Sequence, residues 1–593
     1  MHALASGVWP DPPHFEHPNH PILSPRCCPL KLTPTVFILT KNITSNKALA
    51  PVNKALLAII LVAFGVTGMS PARAQSAAAK MPTLGDTSDM SSSAERRLGD
   101  RIAREIYRDP DYLDDPVLAE YVQGVWQPLL AAARARGDLS PELAERFAWE
   151  IMLGRDRTVN AFALPGGYLG VHLGLIAVVS NRDELASVLG HELSHVTQRH
   201  ISRLMSKQGQ MAPWMIGAMV LGALAASKSA DAGNALIVGG QAVAAQNQLN
   251  FSRDMEREAD RVGFGIMTEA GFEGQGFVTM FDKLQQASRL TDNGAYPYLR
   301  SHPLTTERIA DMQARQGLAA PGSAKATLTL EHALVAARAR VLSNADVDAL
   351  RTWQAEAGSA SLSTQAAPRQ AGIWYGAALA ASQLRDFAQA RINLERLHGL
   401  VAGDASATRL ARLLQAEIAL RSGDATGAQA ALNTGPSTTN APSQASTQGQ
   451  TPATQRPELI LAAQIVLQPG QGALASGSAA IAAVAVRLQA WVAAHPRDAQ
   501  AWQLLSSVQG AQQQTLRALR SDAEAQVARL DYAAALDRFK AAQAFSRQQP
   551  SGQVQANGGA SASQAAADHI DESIIDTRQR QVQLLLKEQT LDR

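Results

Sequence analysis

The run His191-Glu192-Leu193-Ser194-His195 places two imidazoles four residues apart, with a carboxylate beside the first. On a helix those histidines lie one turn apart on one face. Both can then reach a single ion about 2.0–2.1 Å from each nitrogen, the distance zinc takes. Glu192 falls one residue round, beside the ion, where a base for an attacking water belongs. With 13 His in 593 residues, chance supplies this pattern on the order of 0.01 times in such a chain. The alternative is two surface histidines on an ordinary helix. It leaves the apolar surroundings of the motif unexplained.

A catalytic zinc keeps three protein ligands and one open position, so a further ligand must come from elsewhere. Downstream, Glu256-Arg257-Glu258-Ala259-Asp260 offers carboxylates 61 residues after His195. Glu256 and Asp260 share a helix face, and Glu258 points elsewhere. Asp260 on that face can accept a hydrogen bond from a ligand histidine and fix its tautomer. A second histidine-bearing segment, Tyr298-Leu299-Arg300-Ser301-His302-Pro303-Leu304, follows 46 residues beyond Glu256 in a turn-like context. Read alone, His302 is equally a structural residue capping a helix that begins near Thr305-Thr306-Glu307.

These residues need elements to hold them. Leu185, Val188, Leu189, Leu193 and Val196 recur at helical spacing around the motif, with Asn181 or Asp183 as the cap. Before this helix, Val159 to Leu164 alternates small and large residues as a strand does, and Pro165-Gly166-Gly167 follows as a turn. That strand lies either at a sheet edge or in the core. The apolar run 211–226, between the two carboxylate-bearing motifs, is too short for a comfortable membrane span. It reads as a membrane-surface or lid hairpin, or as a buried core helix.

The composition is globular: 46% hydrophobic, 18% charged and 5% aromatic. Formal net charge is +2, from 54 Lys+Arg against 52 Asp+Glu, which gives no reason to expect nucleic acid as a partner. Two cysteines, Cys27 and Cys28, exclude a disulfide scaffold. Lys47 and Lys54, the apolar stretch 55–69 and Pro71-Ala72-Arg73-Ala74 make an export signal cleaved after Ala74. An uncleaved anchor is the alternative. We divide the chain into a leader and signal (1–74), a flexible lead-in (75–92), a catalytic domain (93–325) and a helical domain (326–593). Polar insertions near 433–456 and 549–566 are expected to be disordered. In the last domain Trp374, Ala378, Phe387 and Ala390 fall at offsets 0, 4, 13 and 16. Gly423-Asp424 with Ala428, and Leu530-Asp531-Tyr532 with Ala535, resume the pattern. This resembles degenerate tetratricopeptide repeats, with a generic Ala-rich bundle as the alternative.

The H-E-x-x-H and E-x-x-A-D motifs, with Asn160-Ala161-Phe162-Ala163 ahead of them, resemble the M48 metallopeptidases. The resemblance covers roughly 93–325. It implies a mainly α, gluzincin-like metalloprotease domain with a small edge-strand sheet, followed here by an α-solenoid. It implies one Zn2+ held by His191, His195 and Glu256, with Glu192 as catalytic base and a proton-donor role for Asp260 beside the orienting one. Asn160, Ala161, Phe162 and Ala163 become an edge strand that pairs with substrate. His302 becomes either a fourth ligand that silences the zinc or a donor to the developing oxyanion, with Tyr296 and Tyr298 as weaker donors. The repeat-bearing, periplasmic branch of the family further implies hydrolysis of unfolded or misassembled polypeptides. Its implied partner is the outer-membrane assembly machinery, and 211–226 is a candidate for peripheral membrane contact. The rival reading is a repeat-based chaperone or adaptor with a latent zinc site.

Overall fold

The computed structural model describes residues 90–207, 252–289, 295–316, 328–434, 455–469, 475–548 and 560–591. The leader and signal, the segment 211–226 and most of the 433–456 insertion lie outside these residues.

The first half opens with helices α1 (Ser92–Arg108), α2 (Pro116–Arg136) and α3 (Pro141–Arg146). Four short strands follow the chain as β1 (Tyr112–Leu113), β2 (Glu150–Gly154), β3 (Ala161–Leu164) and β4 (Tyr168–His172). Their order in the sheet is β1-β2-β4-β3. β2 and β4 run parallel, while β1 and β3 are antiparallel to their neighbours. β3 is therefore an edge strand among the described residues. The turn from β3 into β4 requires glycine: Gly166 and Gly167 have φ of 72° and 84°, which L side chains rarely adopt.

Helices α4 (Leu173–Val178), α5 (Arg182–Thr197), α6 (His200–Lys207), α7 (Arg253–Glu269), α8 (Gln275–Arg289), α9 (Tyr298–Ser301) and α10 (Thr306–Gln316) complete this half. Asn181 caps α5, its side chain accepting from Glu184 N at 2.9 Å. Glu184 reaches back to Ser180 N at 2.6 Å, so the cap satisfies one orphan donor of the helix and Glu184 ties down the residue before the cap. Every residue from Glu184 to Thr197 is buried. The helix is therefore an internal beam, wrapped by α2, α7, α8 and the sheet. Gly190 of α5 faces Gly263 of α7 so closely that a Cβ on Gly263 would lie 2.9 Å from the Gly190 backbone.

The second half is helical among the described residues. It runs α11 (Leu330–Ser343), α12 (Val347–Glu356), α13 (Ala367–Gln383), α14 (Phe387–Val401), α15 (Ala405–Arg421) and α16 (Ala425–Asn433). Then come α17 (Arg456–Val466), α18 (Ala475–Ala494), α19 (Ala499–Ala511), α20 (Thr515–Ala528), α21 (Tyr532–Gln548) and α22 (Ala560–Leu591). Successive helices pack on one another, as in an α-solenoid. The expected polar break at 549–566 is shorter on its C-terminal side, because α22 already starts at Ala560. The Ala-rich run there has high helix propensity, which outweighs its low hydrophobicity. One described helix, Gly477–Ala494 within α18, is long and apolar enough to cross a membrane. Its Ile481, Val484, Leu488 and Val492 are buried in a core shared with α17 and α19.

A single hydrophobic core runs from Trp126, Leu169 and Leu189 through Leu334 and Leu379 to Leu413 and Leu461, so helices α11 to α17 share it with the sheet and α5.

Candidate metal and active site

α5 supplies His191, Glu192 and His195, and α7 supplies Glu256 and Asp260. The close Gly190–Gly263 approach brings the two helices together at that level. The residue after α9, His302, enters from a third direction. It is 2% exposed, and its N–H donates to Tyr298 O at 2.9 Å. His302 does not cap the following helix; the Thr305 hydroxyl does, accepting from Arg308 N at 3.3 Å.

One ligand atom each from His191, His195, Glu256 and His302 can be chosen so that all four lie within 4.8 Å of one another. His191 Nε2 and His195 Nε2 are 2.9 Å apart. Glu256 oxygens lie 3.5 Å from His191 Nε2 and 3.4 Å from His195 Nε2. His302 Nδ1 is 3.3 Å from His191 Nε2 and 3.0 Å from Glu256 Oε1. Nitrogen and oxygen ligands of a tetrahedral zinc stand about 3.3 Å apart. The four atoms have the spacing and chemistry of such a set.

Behind the ligands the hydrogen bonds are directional. His191 Nδ1–H donates to Asp260 Oδ1 at 2.9 Å, which turns Nε2 towards the other candidate ligands. Asp260 also accepts a two-pronged contact from Arg308, at 2.6 and 2.7 Å. Arg308 reaches Glu256 Oε2 at 2.8 Å and Pro303 O at 2.8 Å as well. Burial pushes Asp260 up, but Arg308 and His191 outweigh it and hold the carboxyl below its usual range. The geometry fits the orienting role of Asp260. Burial also opposes ionisation of Glu256, yet His302, His191 and His195 together hold it well below the ordinary carboxylate value. For His191 burial works downward, and Asp260 with Glu256 raise it to about 9.

Glu192 is fully buried. Its Oε2 accepts from Ala163 N at 2.9 Å, and its Oε1 lies 3.4 Å from His302 Nε2. Burial raises its pKa above that of a free carboxyl, the direction a general base near neutral pH needs. The bond to Ala163 shows which way the edge strand faces: the outer main-chain edge of β3 opens onto Glu192. Ala161, Phe162 and Ala163 lie in that strand, and Asn160 stands one residue before it. Asn160 O accepts from His172 N at 3.0 Å. Its side-chain oxygen is buried and accepts no hydrogen bond among the described residues.

Two features escape a reading of the sequence. Arg308 is one; its only local signal is a lone arginine after a histidine-bearing turn. The other is His200, fully buried, whose Nδ1 lies 2.9 Å from His195 Nδ1. Its Nε2 lies 3.2 Å from Glu258 Oε2. Burial pushes the His200 pKa down to about 4, against the pull of Glu258.

A buried helix carrying H-E-x-x-H, a second helix adding a carboxylate, and an edge strand meeting the glutamate together make a candidate zinc centre. Residues 120–316 match the model of peptidase family M48. The beta-barrel assembly-enhancing protease of Escherichia coli K12 is 31% identical over 268 residues, which is 44% of this chain and 52% of that protein. A Vibrio cholerae protein given the same name provisionally is 33% identical over 332 residues, 55% of this chain and 65% of its own. The mitochondrial metalloendopeptidase OMA1 of Saccharomyces cerevisiae is 29% identical over 196 residues, 32% of this chain and 54% of that one. The chain thus spans between half and two thirds of the length of these relatives.

Proposed function

We propose that the protein is a zinc endopeptidase that cleaves unfolded or misassembled envelope proteins, and that it serves quality control in outer-membrane assembly. His191, His195 and Glu256 hold the zinc. When bound, the ion supplies Lewis acidity, polarising the scissile carbonyl and making a neighbouring water acidic. The chain's own groups do the rest. The outer edge of β3, Asn160 to Ala163, pairs with an extended substrate through main-chain hydrogen bonds, which need no particular sequence. Glu192 gives up the Ala163 N–H as substrate enters, takes a proton from the attacking water and returns it to the leaving amine. Asp260 and Arg308 keep His191 in its ligating tautomer. In this reading residues 93–325 do the chemistry and the repeats of 326–593 present substrate and dock on the assembly machinery. The signal directs the chain to the periplasm, with 211–226 touching the membrane surface.

One observation carries the catalytic part: Glu192 bridges the edge strand and the ligand cluster, so base, backbone template and ion site meet at one carboxylate. The names of the relatives support the biological part. His302 favours a resting state within this reading. Its Nδ1 stands where a fourth ligand belongs, and four protein ligands leave no open position.

Cleavage of casein, with zinc counted in each sample, tests both. Glu192→Gln is expected to retain zinc and to lose roughly 10²–10⁴-fold in kcat. His302→Ala is expected to retain zinc and to cleave several-fold faster. A Glu192→Gln variant as active as wild type would sink the proposed mechanism. Slower cleavage by His302→Ala would assign that residue to the oxyanion instead.

A further inference from the structure

The proposed mechanism leaves one buried cluster unused. His195 and His200 are five residues apart, which on a straight helix puts them about 140° from each other round the axis. The chain does not continue straight. Arg199, between α5 and α6, has a φ of 53°, a conformation that ends one helix and re-aims the next. Its guanidinium is tied to Glu95 at 3.1 Å and to Ser202 at 3.2 Å. The break folds His200 back over His195, with ring centroids 4.9 Å apart at 76° and the two Nδ1 atoms at hydrogen-bond distance.

Which nitrogen carries hydrogen follows from the far end. Glu258 is also bound by Arg203 at 2.9 Å, so it is an ionised acceptor. His200 Nε2 must then be the donor to Glu258, and its Nδ1 presents a lone pair. His195 Nδ1 must donate into that lone pair, which puts the lone pair of His195 Nε2 on the side of His191 and Glu256. His191 reaches the same result through one carboxylate, Asp260. His195 reaches it through an imidazole and then a carboxylate.

We propose that His200 and Glu258 form a relay that fixes the tautomer and ring orientation of His195, making both positioning residues of the zinc site. The inference rests on the zinc reading above. It also gives Glu258, which the motif alone turns away from the site, a part in it. Outer partners of ligand histidines typically set metal affinity by 10–100-fold.

The test is zinc affinity of the full-length protein, measured by competition with a chromogenic chelator, with the visible spectrum of the cobalt(II) form as a second readout. His200→Phe fills the space without an acceptor and should bind zinc roughly 10–100-fold more weakly, with a changed cobalt spectrum. His200→Asn places an amide oxygen near the old Nδ1 and should recover affinity to within a few-fold of wild type. Glu258→Ala, at a partly exposed position, should weaken zinc in the same direction and carries the test if His200→Phe does not fold. Equal affinity in wild type, His200→Phe and Glu258→Ala overturns the relay, and equal losses in His200→Phe and His200→Asn reduce His200 to packing. Absence of zinc from wild type itself overturns the underlying site as well, so the two failures are told apart.

Discussion

Arg308 is 3% exposed and is the cation that faces both Asp260 and Glu256. Burying two carboxylates in one place is tolerable only when they are paired. Removing one partner of such a buried set costs about 3–5 kcal/mol, because the others remain dry and uncompensated. Arg308→Leu should therefore destabilise the zinc-free protein by about 3–5 kcal/mol in urea unfolding. Arg308→Lys should cost less in stability, yet it loses the fork that holds both oxygens of Asp260. An Arg308→Leu variant as stable as wild type would show that the cluster is not held by this cation. At this scale the sequence is legible where chemistry is local. His191, Glu192 and His195 follow from one helix, and Glu256 with Asp260 from another. Arg308 lies 48 residues from Asp260 in the chain, and the His195–His200 contact depends on a kink at Arg199. Neither pairing leaves a mark in any window of sequence.

At the scale of elements, one turn recurs through the repeat half. Arg385-Asp386, Gly423-Asp424 and Leu530-Asp531 each close a helix with a positive-φ residue and open the next with an aspartate. The φ values are 63°, 83° and 60°. Asp386 and Asp424 accept from Gln389 N and Gly427 N at 3.1 and 2.8 Å as N-caps. Gln513, at 60°, holds the corresponding place before Gln514-Thr515. Only Gly423 adopts this conformation without strain, since a left-handed L-residue costs roughly 1–2 kcal/mol. Arg385 and Gln513 are exposed, so little packing is lost on changing them. Arg385→Gly should raise stability by about 0.5–1 kcal/mol, some of the relief being offset by the freer unfolded chain. Calorimetry that finds a lower Tm would mean the arginine makes a contact worth more than the strain. The same turns explain why the repeats are readable in outline: Gly-Asp and Leu-Asp-Tyr stand in the sequence at those places. The sheet is harder to read. β1 is two residues long, and β2 pairs with β4 across a 13-residue interval, so neither shows period-two patterning long enough to stand out.

For the molecule as a whole, the question is what joins the H-E-x-x-H half to the repeats. The start of α2 is the meeting point. Arg338 of α11 forks onto Asp115 at 2.6 and 2.8 Å and onto Glu417 of α15 at 2.9 and 3.0 Å. Arg409 of α15 pairs with Glu120, and Arg456 of α17 with Asp114 at 2.8 Å. Beside them, Tyr121 donates its hydroxyl to His332 Nδ1 at 2.6 Å, and His332 Nε2–H donates to Val179 O at 2.8 Å. That arrangement needs a neutral imidazole. Burial lowers the His332 pKa, more than its bond to Val179 raises it. The unfolded chain therefore takes up this proton more readily than the folded one. The stabilising contribution is complete above the unfolded histidine value of about 6.5 and is lost as pH falls below it. Wild type should show a falling Tm between pH 7.5 and pH 5.5. His332→Gln, less stable at pH 7.5, should lose less over the same interval. Equal slopes for the two proteins would mean that His332 is not titrating at this junction. A single unfolding transition in each is expected, because the core around Leu189 is continuous with that around Leu379 and Leu413. Acid that loosens the junction should thereby loosen the wall behind α5 and the candidate ligands it carries.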